Sequence, residues 1–140
     1  GNARASAKLD FGEHRAPEYA GFAAVVTASG VAVGDHVDAW LAGSVNSAAG
    51  NGNPIELSGS DGAYSGINSN LDDSLELVQF IGSMPLTDDA TPEIQLGYIG
   101  TVRPLCRHGI VIVKIVGVDF HSSDANIVVV LNPVDIPESQ

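Results

Sequence analysis

The apolar residues of this chain alternate with polar ones or run in short β-branched blocks. Almost nowhere do they recur at the three-and-four spacing of an amphipathic helix. From Ala5 to Phe11 the alternation puts Ala5, Ala7, Leu9 and Phe11 on one side and Ser6, Lys8 and Asp10 on the other. A second strand is predicted over 21–28, around Ala24-Val25-Val26-Thr27, and Ser29-Gly30 stops it. Gly34-Asp35 reads as a turn feeding a third strand over 36–43. There Val37, Ala39 and Leu41 share one face, and His36, Asp38 and Trp40 the other. A tryptophan on the outer face predicts that this face too is covered, by a loop, another sheet or another subunit.

The stretch 43–74 breaks the pattern. Most of it is Gly, Ser, Asn or Asp, and none of it is Lys or Arg. Only Pro54-Ile55-Glu56-Leu57 reads as a short strand within it, and Asn51-Gly52 is a tight-turn signal. A loop of this length in a compact domain is usually functional or flexible. Beyond it, strands are predicted over 75–82, 93–102, 110–120 and 126–131. In the second of these, Ile94, Leu96 and Tyr98 alternate with Glu93, Gln95 and Gly97, the pattern of a strand with its apolar side buried. The run from Ile110 to Val118 is apolar on both faces, which predicts a central strand or an interface strand. Turns are expected at Arg107-His108-Gly109 and Ser122-Ser123-Asp124. The sum is an all-β chain: an antiparallel β-sandwich of about eight strands, with a jelly roll as one topology of that count. One domain over 1–132 is expected, followed by an extended tail over 133–140 that begins at Pro133.

Composition narrows the function. With 140 residues, 44% hydrophobic and 16% charged, the chain can build one core. Seventeen acidic residues against six basic give a formal charge of −11, which argues against binding nucleic acid or an anionic membrane surface. No apolar run approaches the ~18 residues of a membrane-spanning helix. A single cysteine, Cys106, excludes an intrachain disulfide and a multi-cysteine zinc site. The charge is also uneven. Ala16–Val102 holds eleven carboxylates and no Lys or Arg, while Arg4, Lys8, Arg15, Arg103, Arg107 and Lys114 flank it. That polarity predicts docking of the basic N-terminal segment and the 103–114 hairpin onto acidic surface of a neighbouring subunit. Phe11, Trp40, Arg103, Arg107, Lys114 and Pro133 are the contact candidates, with the segments 3–11 and 133–140 as clamps.

Chemistry is sparse. The Gly-x-Ser-x-Gly elbow, the phosphate loop and the dinucleotide fingerprint are all absent. Cys106 and His108 stand two apart in a predicted turn, and the four histidines show no ligand-like spacing. Asp61, Asp72-Asp73 and Asp88-Asp89 lie in loops, without the spacing of an EF-hand. No catalytic residue, metal ligand or cofactor is predicted. If the polar loop binds a ligand, Asn51, Asp61 and Tyr64 are the candidates, and carbohydrate is the class.

Three N-terminal segments carry a resemblance. Ala7-x-Leu9-Asp10-Phe11-Gly12, Ala24-Val25-Val26-Thr27 and Val37-x-Ala39-Trp40-Leu41, followed by Asn53-Pro54-Ile55-Glu56-Leu57, resemble a family of small tailed-phage virion proteins. The match extends from the N-terminus to Leu57, and the rest agrees only as strand pattern. The stretch between Leu41 and Pro54 departs from the family, being Ser/Asn/Gly-rich where the family has a His/Asp/Glu-rich run. The resemblance implies a β-sandwich structural component of a virion, either capsid decoration (cement) or tail- or fibre-associated. It implies no enzymatic activity, and partners that are copies of itself, expected as a trimer, and other virion proteins. A receptor- or carbohydrate-binding module of a tail fibre is the alternative.

Overall fold

The computed structural model describes residues 3–87, 94–122 and 127–134. Among them nine strands form two antiparallel sheets, in chain order β1 (Ala3–Ala5), β2 (Leu9–Asp10), β3 (Tyr19–Val26), β4 (His36–Ser44), β5 (Gly62–Ala63), β6 (Gln79–Pro85), β7 (Ile94–Val102), β8 (His108–Val116) and β9 (Ile127–Pro133). The large sheet runs β5-β1-β8-β4-β6, with β2 also on β8, and the small sheet runs β7-β3-β9. The chain is all-β, and the two sheets pack as a sandwich.

The core between the sheets is built from alternate residues, as strand pleating requires. Val37, Ala39 and Leu41 of β4 and Val111, Val113 and Ile115 of β8 face Ala23 and Val25 of β3 and Ile99 of β7. The sandwich closes along β6 and β7, where two backbones come nearly into contact. Gly82 and Gly100 lie there at φ +158° and +150°. A Cβ on Gly82 would stand 1.9 Å from the Ile99 carbonyl oxygen, and one on Gly100 would stand 2.0 Å from that of Ile81. Only glycine permits that approach.

β4 keeps the two faces that its alternation predicts, and Trp40 is covered. The cover is the 43–74 loop. Ile55, Leu57, Tyr64 and Leu71 fold over Trp40, Ala42, Ile110 and Ile112 to make a second core on the outer face of the large sheet. β8 is therefore central and buried on both faces. The loop runs as short 3-10 turns at 54–56, 67–69, 71–73 and 75–77. The short strand expected at Pro54–Leu57 is instead a tight turn with Ile55 and Glu56 in the left-handed region, at φ 54° and 60°. This turn tucks the Ile55 side chain, 6% exposed, into the second core.

Several other expectations shift. The first strand is interrupted, because Ser6 uses both its backbone and side chain on Val111: its N–H donates to the Val111 carbonyl at 2.8 Å and its Oγ accepts from the Val111 N–H at 3.0 Å. The strand expected from residue 75 starts at Gln79, after a 3-10 turn. Arg107-His108-Gly109 is no hairpin turn, since His108 and Gly109 pair with Ser44 and Gly43 as the start of β8. The 103–107 connection instead carries the chain from the small sheet to the large one. Gly109 is a packing residue, for a Cβ there would meet Leu41 Cδ1 at 2.8 Å. Pro133 belongs to β9, opposite Tyr19. Residues 135–140 of the expected tail, Asp88-Asp89 and the turn residues Ser123 and Asp124 lie outside the described residues.

Candidate functional site

The six cations were expected to reach a neighbour, and most of them are engaged within the chain. Lys8 Nζ donates to the carbonyls of Asn46, Ala48 and Asn51 at 2.9, 2.6 and 2.8 Å, fixing the start of the loop to the N-terminal strand. Partial burial there pushes the Lys8 ammonium below its ordinary pKa. Arg15 Nε donates to the Pro104 carbonyl at 3.1 Å. Arg107 forks onto Asp10, with Nε to Oδ1 at 2.9 Å and Nη2 to Oδ2 at 3.2 Å. The guanidinium hydrogen bonds and the Gly12 N–H hold the Asp10 carboxyl down at about 2. Lys114 pairs with Asp72 of the loop at 3.1 Å. Arg103 is exposed on the 103–107 connection, and its carbonyl accepts from Gln79 Nε2 at 2.9 Å.

Of the apolar contact candidates, Trp40 and Phe11 are engaged inside, while Pro133 is exposed at the end of β9. Trp40 is 8% exposed under the loop and stacks obliquely on Phe80, ring centroids 5.7 Å apart. Phe11 leans on Tyr19 at 5.0 Å at the margin of the first core. β1 and β2 are paired to β8, so the 3–11 segment is a part of its own sheet.

The loop candidates divide. Tyr64 is buried, its hydroxyl without a hydrogen-bond partner among the described residues, and the Asn51 carbonyl is taken by Lys8. Asp61 is exposed at the mouth of a narrow cleft of about 90 Å³ between β9 and the β1–β8 region. Among its described residues the loop offers solvent no aromatic ring. Cys106 is half-buried and lies over Gly43, and a Cβ on that glycine would stand 3.1 Å from Sγ. His108 faces Asp10, Nε2 to Oδ2 3.7 Å, in the ion-paired cluster that joins β2 to β8. No group of three or more His, Cys, Asp or Glu positioned to hold a metal occurs among the described residues.

Among the described residues, some of the twelve exposed large hydrophobics stand elsewhere, such as Phe80 beside Trp40 on the large sheet, but half of them share the outer face of the small sheet. Phe22 (43% exposed), Ile94 (58%), Leu96 (74%), Tyr98 (54%), Val128 (50%) and Val130 (45%) all lie on it. Taking roughly 150–250 Å² for a whole aromatic side chain and less for an aliphatic one, the six expose on the order of 600 Å². That stands at the upper end for the largest apolar patch of a monomer. Register sets the rows: Tyr98 and Val130 flank Phe22, and Leu96 and Val128 flank Ala24. Phe22 and Tyr98 meet edge to face at 5.8 Å.

β7 is thus inverted relative to its sequence pattern: Ile94, Leu96 and Tyr98 point out. Inside are Ile99, 2% exposed, and Gln95, 4% exposed, whose Oε1 accepts the Thr87 N–H at 3.2 Å. Gly97 faces inward beneath Met84, where a Cβ would come within 3.0 Å of Sδ. The missed signal lay in β3 and β9. Both are apolar at odd and even positions alike, as only a strand with two covered faces should be.

Compared with protein-family models, with curated proteins and with solved structures, the chain has no match in any of the three. No described helix is long and apolar enough to cross a membrane.

Proposed function

We propose that this chain is a non-enzymatic structural subunit of a virion, of the capsid-decorating or tail-associated kind, which seats the outer face of its small sheet on neighbouring protein. The observation that supports this reading is that continuous apolar face, on a chain that covers the corresponding face of its large sheet with its own loop. The resemblance of the segment ending at Leu57 to phage virion proteins supplies the class of assembly. Burying on the order of 600 Å² at about 25 cal/mol/Å² is worth roughly 15 kcal/mol gross. Association costs ~4–15 kcal/mol or more in lost freedom, with side-chain ordering in addition, so a face of this size suffices to offset that cost without setting an affinity.

The experiment is mass spectrometry of gradient-purified particles from the source that encodes the chain. Its peptides are expected at the abundance of a structural protein, and Leu96→Asp, at an exposed position, should fold normally yet be lost from particles. Particles that lack the wild-type chain would overturn the reading.

A further inference from the structure

The partner for the small-sheet face can be named from its charge, shape and size. We infer that the outer face of the small sheet docks on the same face of a second copy across a two-fold axis. This rests on the reading above and adds the identity of the occupant.

Charge comes first. The chain carries −11, so two copies meeting at random bring carboxylates together and must desolvate them. On the small sheet the outward positions of β3, Ala20, Phe22, Ala24 and Val26, are all uncharged, as are those of β7 and β9 among the described residues. Among the described residues of these three strands, a face-to-face approach buries no charge.

Shape selects the register. Along β3 the row Tyr98–Phe22–Val130 lies next to one that dips only at Ala24, between the projecting Leu96 and Val128. Rows two residues apart are spaced by about 6.6 Å, and stacked sheets pack about 10 Å apart. A copy turned by half a rotation sets its Phe22 over its partner's Ala24 depression and receives the partner's Phe22 over its own. Knob and hole are on one strand, so the contact is reciprocal and closes at two copies rather than growing into a fibre. Size agrees, because two such faces bury on the order of 1,200 Å², the lower bound of specific interfaces. The two-fold pair differs from the trimer expected from the sequence.

Sedimentation velocity over about a hundredfold range of concentration tests this with three proteins. The wild type is expected to pass from monomer to dimer and no further. Leu96→Asp and Ala24→Phe, the second filling the depression, should each weaken the dimer at least tenfold while circular dichroism stays unchanged. Register is tested in a Cys106→Ser background by mixing Phe22→Cys with Ala24→Cys. Sheets about 10 Å apart are too far for a direct disulfide, so a short bis-maleimide is used: the mixed crosslink should form at least tenfold faster than either homo-crosslink, and faster homo-crosslinks would overturn the two-fold register. A wild type that stays monomeric throughout would overturn the self-docking. If Leu96→Asp were still lost from particles, the virion reading would stand with a different occupant on the same face.

Discussion

The loop that covers the large sheet is either a structural lid or a surface appendage, and Trp40→Ala decides between them. The indole is 8% exposed, below Ile55, Leu57, Tyr64 and Leu71 and beside Phe80. Removing it returns about 200 Å² of apolar contact, worth roughly 5 kcal/mol at about 25 cal/mol/Å². Measured aromatic-to-alanine costs in cores of about 3–5 kcal/mol agree, because the site collapses only partly. Against a total stability on the order of 5–15 kcal/mol, that is a large fraction. With a urea slope of about 2 kcal/mol/M, the midpoint should fall by roughly 2 M. Trp40→Phe keeps most of the ring and should lose only about 1–2 kcal/mol, so the series stays measurable if the alanine variant is barely folded. Trp40 is the chain's one tryptophan, so its emission reports on the lid directly. The native protein should emit at the blue end, shifting red in the same transition that circular dichroism follows. A loss under about 1 kcal/mol for Trp40→Ala, or red emission from the folded protein, would refute the second core.

Three further outcomes follow from named contacts. Gly82→Ala and Gly100→Ala each drive a Cβ to about 2 Å from a carbonyl oxygen and should cost at least about 3 kcal/mol in urea unfolding, while Gly62→Ala, with nothing within 4 Å, should be close to neutral. The Asp10 carboxyl titrates at about 2 in the fold against an ordinary 3.8, so its contribution is whole above the ordinary value and disappears as pH falls through the folded one. Wild type and Asp10→Asn should therefore differ in urea midpoint near neutrality and converge near pH 2; a gap that persists there would mean that the Arg107 fork is not its source. Lys8→Met keeps the aliphatic stem and removes three donors, and a loss of about 1 kcal/mol is expected, with faster amide exchange confined to residues 46–52.

How much of this was legible follows from what period-two patterning can encode. It placed β3, β4, β7 and β9 to within two residues at each end, ran β8 four residues too far, and gave the faces of β4 correctly, because each β4 face meets a distinct apolar layer. It misassigned β7, because a pattern records which side is apolar and not which side faces the core. The inward side was decided by Gly97 making room for Met84, by the buried Gln95 amide and by Ile99, all interactions with distant strands. The lid was illegible for a related reason. Ile55, Leu57, Tyr64 and Leu71 are scattered through a stretch rich in Gly, Ser and Asn, and only the folded turns gather them over Trp40. The cations looked like docking charge because their partners lie far off in sequence: Lys114 and Asp72 are separated by 42 positions and Arg107 and Asp10 by 97.

The two sheets pose the same physical problem, and among the described residues the chain answers it once. Each has an inner face buried against the other and an outer face rich in apolar side chains, and water tolerates neither outer face well. Over the large sheet, the whole 43–74 loop is given to a cover fixed by Lys8, by the Lys114–Asp72 pair and by the β5–β1 ladder. Over the small sheet nothing comparable is described, and its outward positions show no charged side chain of the kind that blunts an exposed sheet. A face meant for solvent has no reason to place Leu96, Tyr98, Phe22, Val128 and Val130 in adjoining rows, since threonine or lysine at those positions would hold the strands as well and keep the protein dispersed. On the reading proposed above, the cover is another protein surface. The face is bare only in the monomer, so at concentrations low enough to dissociate the dimer the wild type should bind an apolar-surface dye in proportion to its monomer fraction, and Leu96→Asp should bind less per monomer. A wild-type monomer that binds no such dye would mean that the face is already shielded within the chain, and the assignment of the interface would fail with it.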